Sequence, residues 1–148
     1  MIKRISILAI IFFIGCMSSF AKKRALLIGI GNYDFTATGW SVIHGNNDVA
    51  LLESKLKAKG FSVTYLTDNR ATKSNIRFAL SDLVASVTAG DIIYLHFSGH
   101  GQLIEDMNND EQEDLDQSFV CYDACFSSNY KVSGTSYRGQ NHFIDDET

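Results

Sequence analysis

The sequence predicts an α/β fold: an open, mostly parallel sheet in three layers, with helices on both faces. Two observations carry this. Apolar runs at residues 25–30, 62–66 and 91–98 read as strands, and amphipathic segments of helical period separate them. Strand, helix, strand, helix, strand implies right-handed crossovers within one sheet. Length and composition agree, since 148 residues is the size of one domain and 45% apolar with 20% charged residues is ordinary for a globular chain. Proline is absent, which removes any proline-rich linker.

Residues 1–21 read as a leader. Lys3 and Arg4 precede an apolar run over residues 5–14, long enough for a signal-peptide core and too short to span a bilayer, and Ser19-Phe20-Ala21 offers a small-x-small cleavage site. Export to the periplasm or the extracellular space is expected, with no transmembrane segment after cleavage. The rival reading, a lipoprotein anchor at Cys16, lacks the usual Leu and leaves only about seven residues before the first strand. The leader takes two positive charges with it, moving the net charge from −4 to about −6 with no basic stripe. Nucleic acid is therefore excluded as a partner.

The first strand, 25–30, is continuously apolar, as expected for burial on both faces. Asn46 or Asn47 can cap a helix running to Lys59 with Val49, Leu52 and Leu56 on one face, closed by Gly60. After the strand at 62–66, Thr72 can cap a second helix with Ile76, Leu80, Leu83, Val84 and Val87 inward, and Gly90 ends it. The third strand, 91–98, follows. Beyond Gln102 the regular pattern fades into an acidic loop, a short apolar stretch at 119–122 and a Ser, Asn and Gly-rich stretch at 127–141. Cys121 and Cys125 remain after the leader. On one extended strand they would lie about 13 Å apart, beyond the roughly 7 Å limit of a disulfide, so a bridge requires a turn between them.

In open α/β folds the chemistry gathers beyond the carboxyl ends of the strands, here residues 31–47 and 98–102. Gly29-Ile30-Gly31 lacks the third glycine of a dinucleotide site and opens no helix, so the glycines serve the strand-to-loop transition. Ser98-Gly99-His100-Gly101 is the sharpest signal: it sets a histidine on a glycine-flanked turn at the end of an apolar strand, where a rigidly held base is useful. His96 reads as a packed sheet residue. The acidic run 105–116 fails the EF-hand pattern, with Glu111 at the glycine position and Gln117 at the final ligand position, leaving a solvated loop or a looser oxygen-ligand site.

Residues 24–33, 45–60, 91–102 and 114–124 together resemble the caspase-like cysteine peptidases, most closely the metacaspase branch, over nearly all of residues 22–148. The strand ending Ser98-Gly99-His100-Gly101 is the most specific part of the likeness. The resemblance implies a caspase-like α/β/α sheet and a cysteine endopeptidase acting on protein or peptide substrates. His100 would be the base of a Cys-His dyad and the Gly101 amide would help bind the oxyanion. Caspases carry an Arg just before the first helix, where this chain has Ile43 and His44. Asp48 and Ser98 match the metacaspase pocket for Arg or Lys, which implies cleavage after basic residues. A carboxylate in a helix's first turn is also favourable in its own right. Asp116, Asp145 and Asp146 match a calcium site, so Ca²⁺ enters as an activator and no cofactor is needed for the chemistry itself.

The nucleophile departs from the pattern. Caspase-type histidines precede their cysteine by about 50 residues, which places it near position 150. The expectation is therefore an N-terminal part of a longer peptidase, truncated before its cysteine strand and inactive by itself. Cys125 lacks the family's cysteine context. The unpaired edge at 91–98 is then expected to favour self-association. Rival readings are a non-catalytic relative that binds peptides through the same cleft, and an exported calcium-binding module. A serine hydrolase is disfavoured because no G-x-S-x-G elbow occurs.

Overall fold

A computed structural model of the chain describes residues 21–106, 115–130 and 136–144. In chain order the elements are β1 (Lys23–Gly29), α1 (Phe35–Thr38), α2 (Gly45–Ala58), β2 (Ser62–Thr67), α3 (Lys73–Ser86), β3 (Ile92–Ser98), β4 (Gly101–Glu105), β5 (Leu115–Val120) and β6 (His142–Ile144). Short 3-10 turns at Asp68–Arg70 and Ser127–Asn129 punctuate the loops. Strand β1 is central to a parallel sheet of order β2-β1-β3. Its alternating side chains serve two cores. Leu26 and Ile28 pack with Leu66 and Ile76 beneath α3, whereas Ala25 and Leu27 pack with Val49 and Leu56 beneath α2. One helix on each face gives the three-layer α/β arrangement, and burial on both faces explains why β1 reads as an unbroken apolar run.

Local signals held unevenly. Thr72 caps α3 by accepting from the Asn75 amide at 3.3 Å. Helix α2 instead starts at Gly45, behind His44, with no side-chain cap, and the Asn46 amide is used elsewhere, donating to Asp68. Only Ile76 of α3 is fully buried, with Leu80 and Leu83 packed against the core, while Val84 is 74% exposed. Val87 is already outside the helix, which ends at Ser86, and Gly90, at φ 96°, serves the turn into β3. The glycines after β1 are explained by crowding: a β-carbon at Gly29 would strike the Gly45 carbonyl and Val49, and one at Gly31 would strike the Asn46 side chain.

Past His100 the chain is regular after all. Strands β4, β5 and β6 form an antiparallel sheet in that order. The pattern was hidden because β5 inverts the usual alternation: Asp116, Ser118 and Val120 are buried while Leu115, Gln117 and Phe119 are exposed. On that buried face Ser118 Oγ donates to the Gln102 carbonyl at 2.7 Å. Between Cys121 and Cys125 the chain does turn, the Ala124 amide donating to the Cys121 carbonyl at 3.0 Å, and the two cysteines are not in a disulfide.

The expected leader, except Ala21, lies outside the described residues, as do the centre of the acidic run (107–114) and Asp145-Asp146. Among the described residues no helix is long and apolar enough to cross a membrane. Strand β3 has a neighbour on one side only among the described residues, and Ile92, Ile93 and Leu95 are exposed along it.

Two substitutions on α3 test its orientation. Ile76→Ala should cost about 2–4 kcal/mol in denaturant unfolding, whereas Val84→Lys should change stability by less than about 0.5 kcal/mol.

Candidate active site

The site is assembled where β1 and β3 end. The strands run in register to Gly29 opposite Ser98, and the Ile30 amide then donates to the Ser98 carbonyl at 2.9 Å. The first turn of α2 lies directly over this junction, because a β-carbon at Gly45 would fall on the Ser98 carbonyl and within 2.7 Å of the Ile30 carbonyl oxygen. Asp48, three residues into α2, thereby meets β3: Ser98 Oγ donates to Asp48 Oδ2 at 2.6 Å. The two residues expected to line a basic-residue pocket are thus brought together, with an acceptor-only carboxylate facing out of the helix. Such a group suits a guanidinium or ammonium.

His100 stands two residues beyond Ser98. Its Nε2 lies 2.9 Å from the Ser41 carbonyl oxygen. A carbonyl only accepts, so Nε2 carries the hydrogen and the neutral ring keeps its basic lone pair on Nδ1. The ring stacks on Trp40 (centroids 5.1 Å apart) and lies at the same separation from Tyr33. Its backbone is also fixed, the amide donating to Tyr33 Oη at 3.3 Å and the carbonyl accepting from the Val120 amide at 2.9 Å. Tyr33 Oη donates in turn to the Val120 carbonyl, and burial pushes this phenol well above its ordinary range, so it stays protonated. The imidazole is thus held in place by geometry, with Nδ1 the nitrogen left available.

The two glycines flanking His100 differ. A β-carbon at Gly99 would come within 2.8 Å of the Phe97 ring and 2.9 Å of Tyr33 Oη, so packing demands glycine there. At Gly101, which opens β4, the nearest atom would be the Ser118 carbonyl oxygen at 3.5 Å, an ordinary contact. His96 is half-buried on the face of β3 shared with Ser98, as expected of a packed sheet residue.

Two participants were not legible in the sequence. Asp68, just past β2, accepts from the Gly31 and Asn32 amides (both 2.8 Å) and from the side chains of Asn32 (3.0 Å) and Asn46 (3.1 Å). Burial pushes its pKa up, but these hydrogen bonds outweigh burial and hold the carboxyl below its usual range. His142 is fully buried on β6, with Nε2 2.9 Å from Gln102 Oε1 and the ring edge-on to Trp40. Burial, partly offset by the Gln140 and Gly139 carbonyls, lowers its pKa. Asp-Asn at a strand's carboxyl end was the one signal available for Asp68. For His142 there was none.

Asp116 is buried on β5 opposite Ile104, and Asp106, just past β4, is buried too. Both are hard oxygen donors, but Asp145 and Asp146 lie outside the described residues, and no cluster of three or more His, Cys, Asp or Glu occurs among the described ones. Cys121 is fully buried, out of reach of any substrate.

The family model described as "Caspase domain" matches residues 22–146. Among curated proteins the chain is similar to metacaspase-1 of Eremothecium gossypii, with 30% identity over 85% of this chain and 26% of that protein. Metacaspase-1B of Aspergillus fumigatus is 31% identical over 85% of this chain and 29% of its own length, and metacaspase-3 of Arabidopsis thaliana 34% identical over 72% and 31%. Among solved structures, the crystal structure of a Geobacter sulfurreducens protein superposes with a TM-score of 0.64 at 26% identity, over 85% of this chain and 42% of that one. The chain therefore spans a quarter to a third of the curated relatives it matches.

Lowered His142 basicity has a consequence for stability. The unfolded chain takes up a proton near pH 6.5 that the native site resists, so stability is full above that value and declines as pH falls below it. Denaturation midpoints should fall between pH 7 and pH 5, and His142→Gln should flatten that part of the profile.

Proposed function

From the premise that the chain belongs to the caspase-domain family, in its metacaspase branch, we propose that it supplies the base and the basic-residue pocket of a cysteine endopeptidase cleaving after Arg or Lys. The observation that carries this is the Ser98–Asp48 hydrogen bond, placed two residues from a histidine whose Nε2 is occupied by a backbone carbonyl. Nδ1 of His100 accepts the proton of a cysteine thiol, the thiolate attacks the peptide carbonyl, and the imidazolium returns the proton to the leaving amine. The resulting thioester is hydrolysed with His100 again acting as base. The Gly101 amide steadies the oxyanion, and the open space around Gly101 supports that role. Asp48 and Ser98 receive the substrate guanidinium or ammonium.

By the family's spacing we place the cysteine partner of His100 about 50 residues beyond it. The coding DNA should be read past Thr148 and its product assayed beside this chain on Arg-, Lys- and Asp-ending fluorogenic peptides. Cleavage after Arg and Lys by the longer form is expected, falling at least about a thousandfold in His100→Ala. Asp48→Asn should raise KM for Arg peptides about tenfold or more, the worth of a charged hydrogen bond. Peptide binding without cleavage by the longer form would instead favour the non-catalytic binding module.

Calcium, if it activates this chain, would be held by Asp116 with Asp145 and Asp146, and it would neutralise and order the acidic segment. The burial of Asp116 supports this assignment. Asp116→Asn should then abolish calcium-dependent thermal stabilisation, and an unchanged calcium response would remove Asp116 from the site. The exposed apolar edge of β3 supports self-association of the chain, which a monodisperse monomer in sedimentation would overturn. Export is proposed on residues 1–21, and N-terminal sequencing of the secreted product should read Lys22 first.

A further inference from the structure

The sequence motifs single out the pocket residues and leave Asp68 unassigned, yet its carboxylate is the most heavily bonded at this end of the sheet. One oxygen takes the Gly31 and Asn32 amides, and the other takes the side chains of Asn32 and Asn46. Those groups belong to two different segments. Gly31 and Asn32 begin the loop that leads to Tyr33, which holds the His100 backbone. Asn46 is in the first turn of α2, two residues before Asp48, and its side chain fills the space that a β-carbon on Gly31 would need.

Helix α2 has no side-chain cap at its start. Its first turn is located by the close approach of Gly45 to the strand ends and by the pull of Asp68 on Asn46. Asp68 itself adopts φ 45°, a left-handed conformation that costs energy for a residue other than glycine. In this conformation the carboxylate reaches across to the 31–32 amides and to Asn46. We propose that Asp68 is the positioning residue of the basic-residue pocket: by holding Asn46 and the 31–32 amides together, it fixes the first turn of α2 so that Asp48 faces Ser98.

This rests on the basic-pocket reading given under Proposed function, and the test separates the two. Argininamide is titrated into the isotopically labelled chain while the Ser98 amide and the Asp48 carboxyl carbon are followed by NMR. Asp68→Asn keeps size but replaces one oxygen by an NH₂ that confronts the Asn46 and Asn32 donors. It should weaken argininamide binding about tenfold. Asp91→Asn is the control, because Asp91 is likewise bonded to backbone amides, those of Lys22 and Thr88, but near the opposite end of β3. It should leave binding within twofold.

Binding by a folded Asp68→Asn chain within twofold of the unmodified chain would overturn the proposal. Should that variant not fold, Asn46→Ser decides: it removes the bridge to α2 and leaves the backbone bonds of Asp68, and it should also weaken binding several-fold, whereas unchanged binding overturns the role. Should the unmodified chain not bind argininamide, the pocket reading fails. Asp68 is then judged by the Asp48 carboxyl-carbon resonance, which the proposal requires to move in Asp68→Asn and which, unmoved, would overturn it.

Discussion

A β-carbon on Gly45 would land on the carbonyl oxygens of Ser98 and Ile30, so the first turn of α2 rests on the backbone of two strand ends. Nothing larger than a hydrogen atom fits between helix and sheet there. The contact is reinforced one turn later, where Val49 occupies the space that a side chain at Gly29 would need. This approach, together with the Asp68–Asn46 bond, sets much of the site's geometry. Asp48 reaches Ser98 because both are carried by elements in backbone contact. The 31–44 loop must arch outward over the strand ends, and that arch brings Ser41 and Trp40 to His100.

The second sheet acts mainly through that arch. Trp40 is buried between His100 and Phe126, the latter ring only 3.8 Å away centroid to centroid, and the Phe126 amide donates to the Thr38 carbonyl. His142 and Tyr137 close the back of this wall, joined through Gln102 on β4. A catalytic-type histidine needs one ring nitrogen occupied and its plane held. Aromatic stacking fixes the plane, and the Ser41 carbonyl occupies the nitrogen. Because these contacts come from the loop after β1, from β4 and from the 121–130 segment, loosening any of them would reach the imidazole before it reached the parallel sheet.

What the sequence disclosed and what it hid differ by mechanism. The parallel sheet and its helices were legible because β1 is buried on both faces and α3 opens on a side-chain cap, so burial and local chemistry wrote the same pattern. The pairing of Asp48 with Ser98 was suggested by resemblance, and spacing alone could not have paired these positions. Strand β5 was illegible because its buried face carries Asp116 and Ser118 while Leu115 and Phe119 face outward. Val84 misled in the opposite way, lying near the helical stripe of Ile76 and Leu80 yet 74% exposed and outside the core cluster. Asp68 and His142 depend on partners tens of residues away, Gly31 and Asn46 for one and Gln102 for the other, which no local periodicity encodes.

The glycines around His100 show how packing can separate structural from chemical demands within one short motif. At position 99 any side chain collides with Phe97 and Tyr33, so the fold by itself explains the glycine. At position 101 the fold would accept a methyl group at ordinary contact distance, and β4 pairing with Phe119 uses only the backbone. A glycine that packing does not require stands next to a histidine whose Nε2 is held by the Ser41 carbonyl. The oxyanion role proposed for the Gly101 amide requires open space there, which a side chain at position 101 would narrow while leaving the sheet intact.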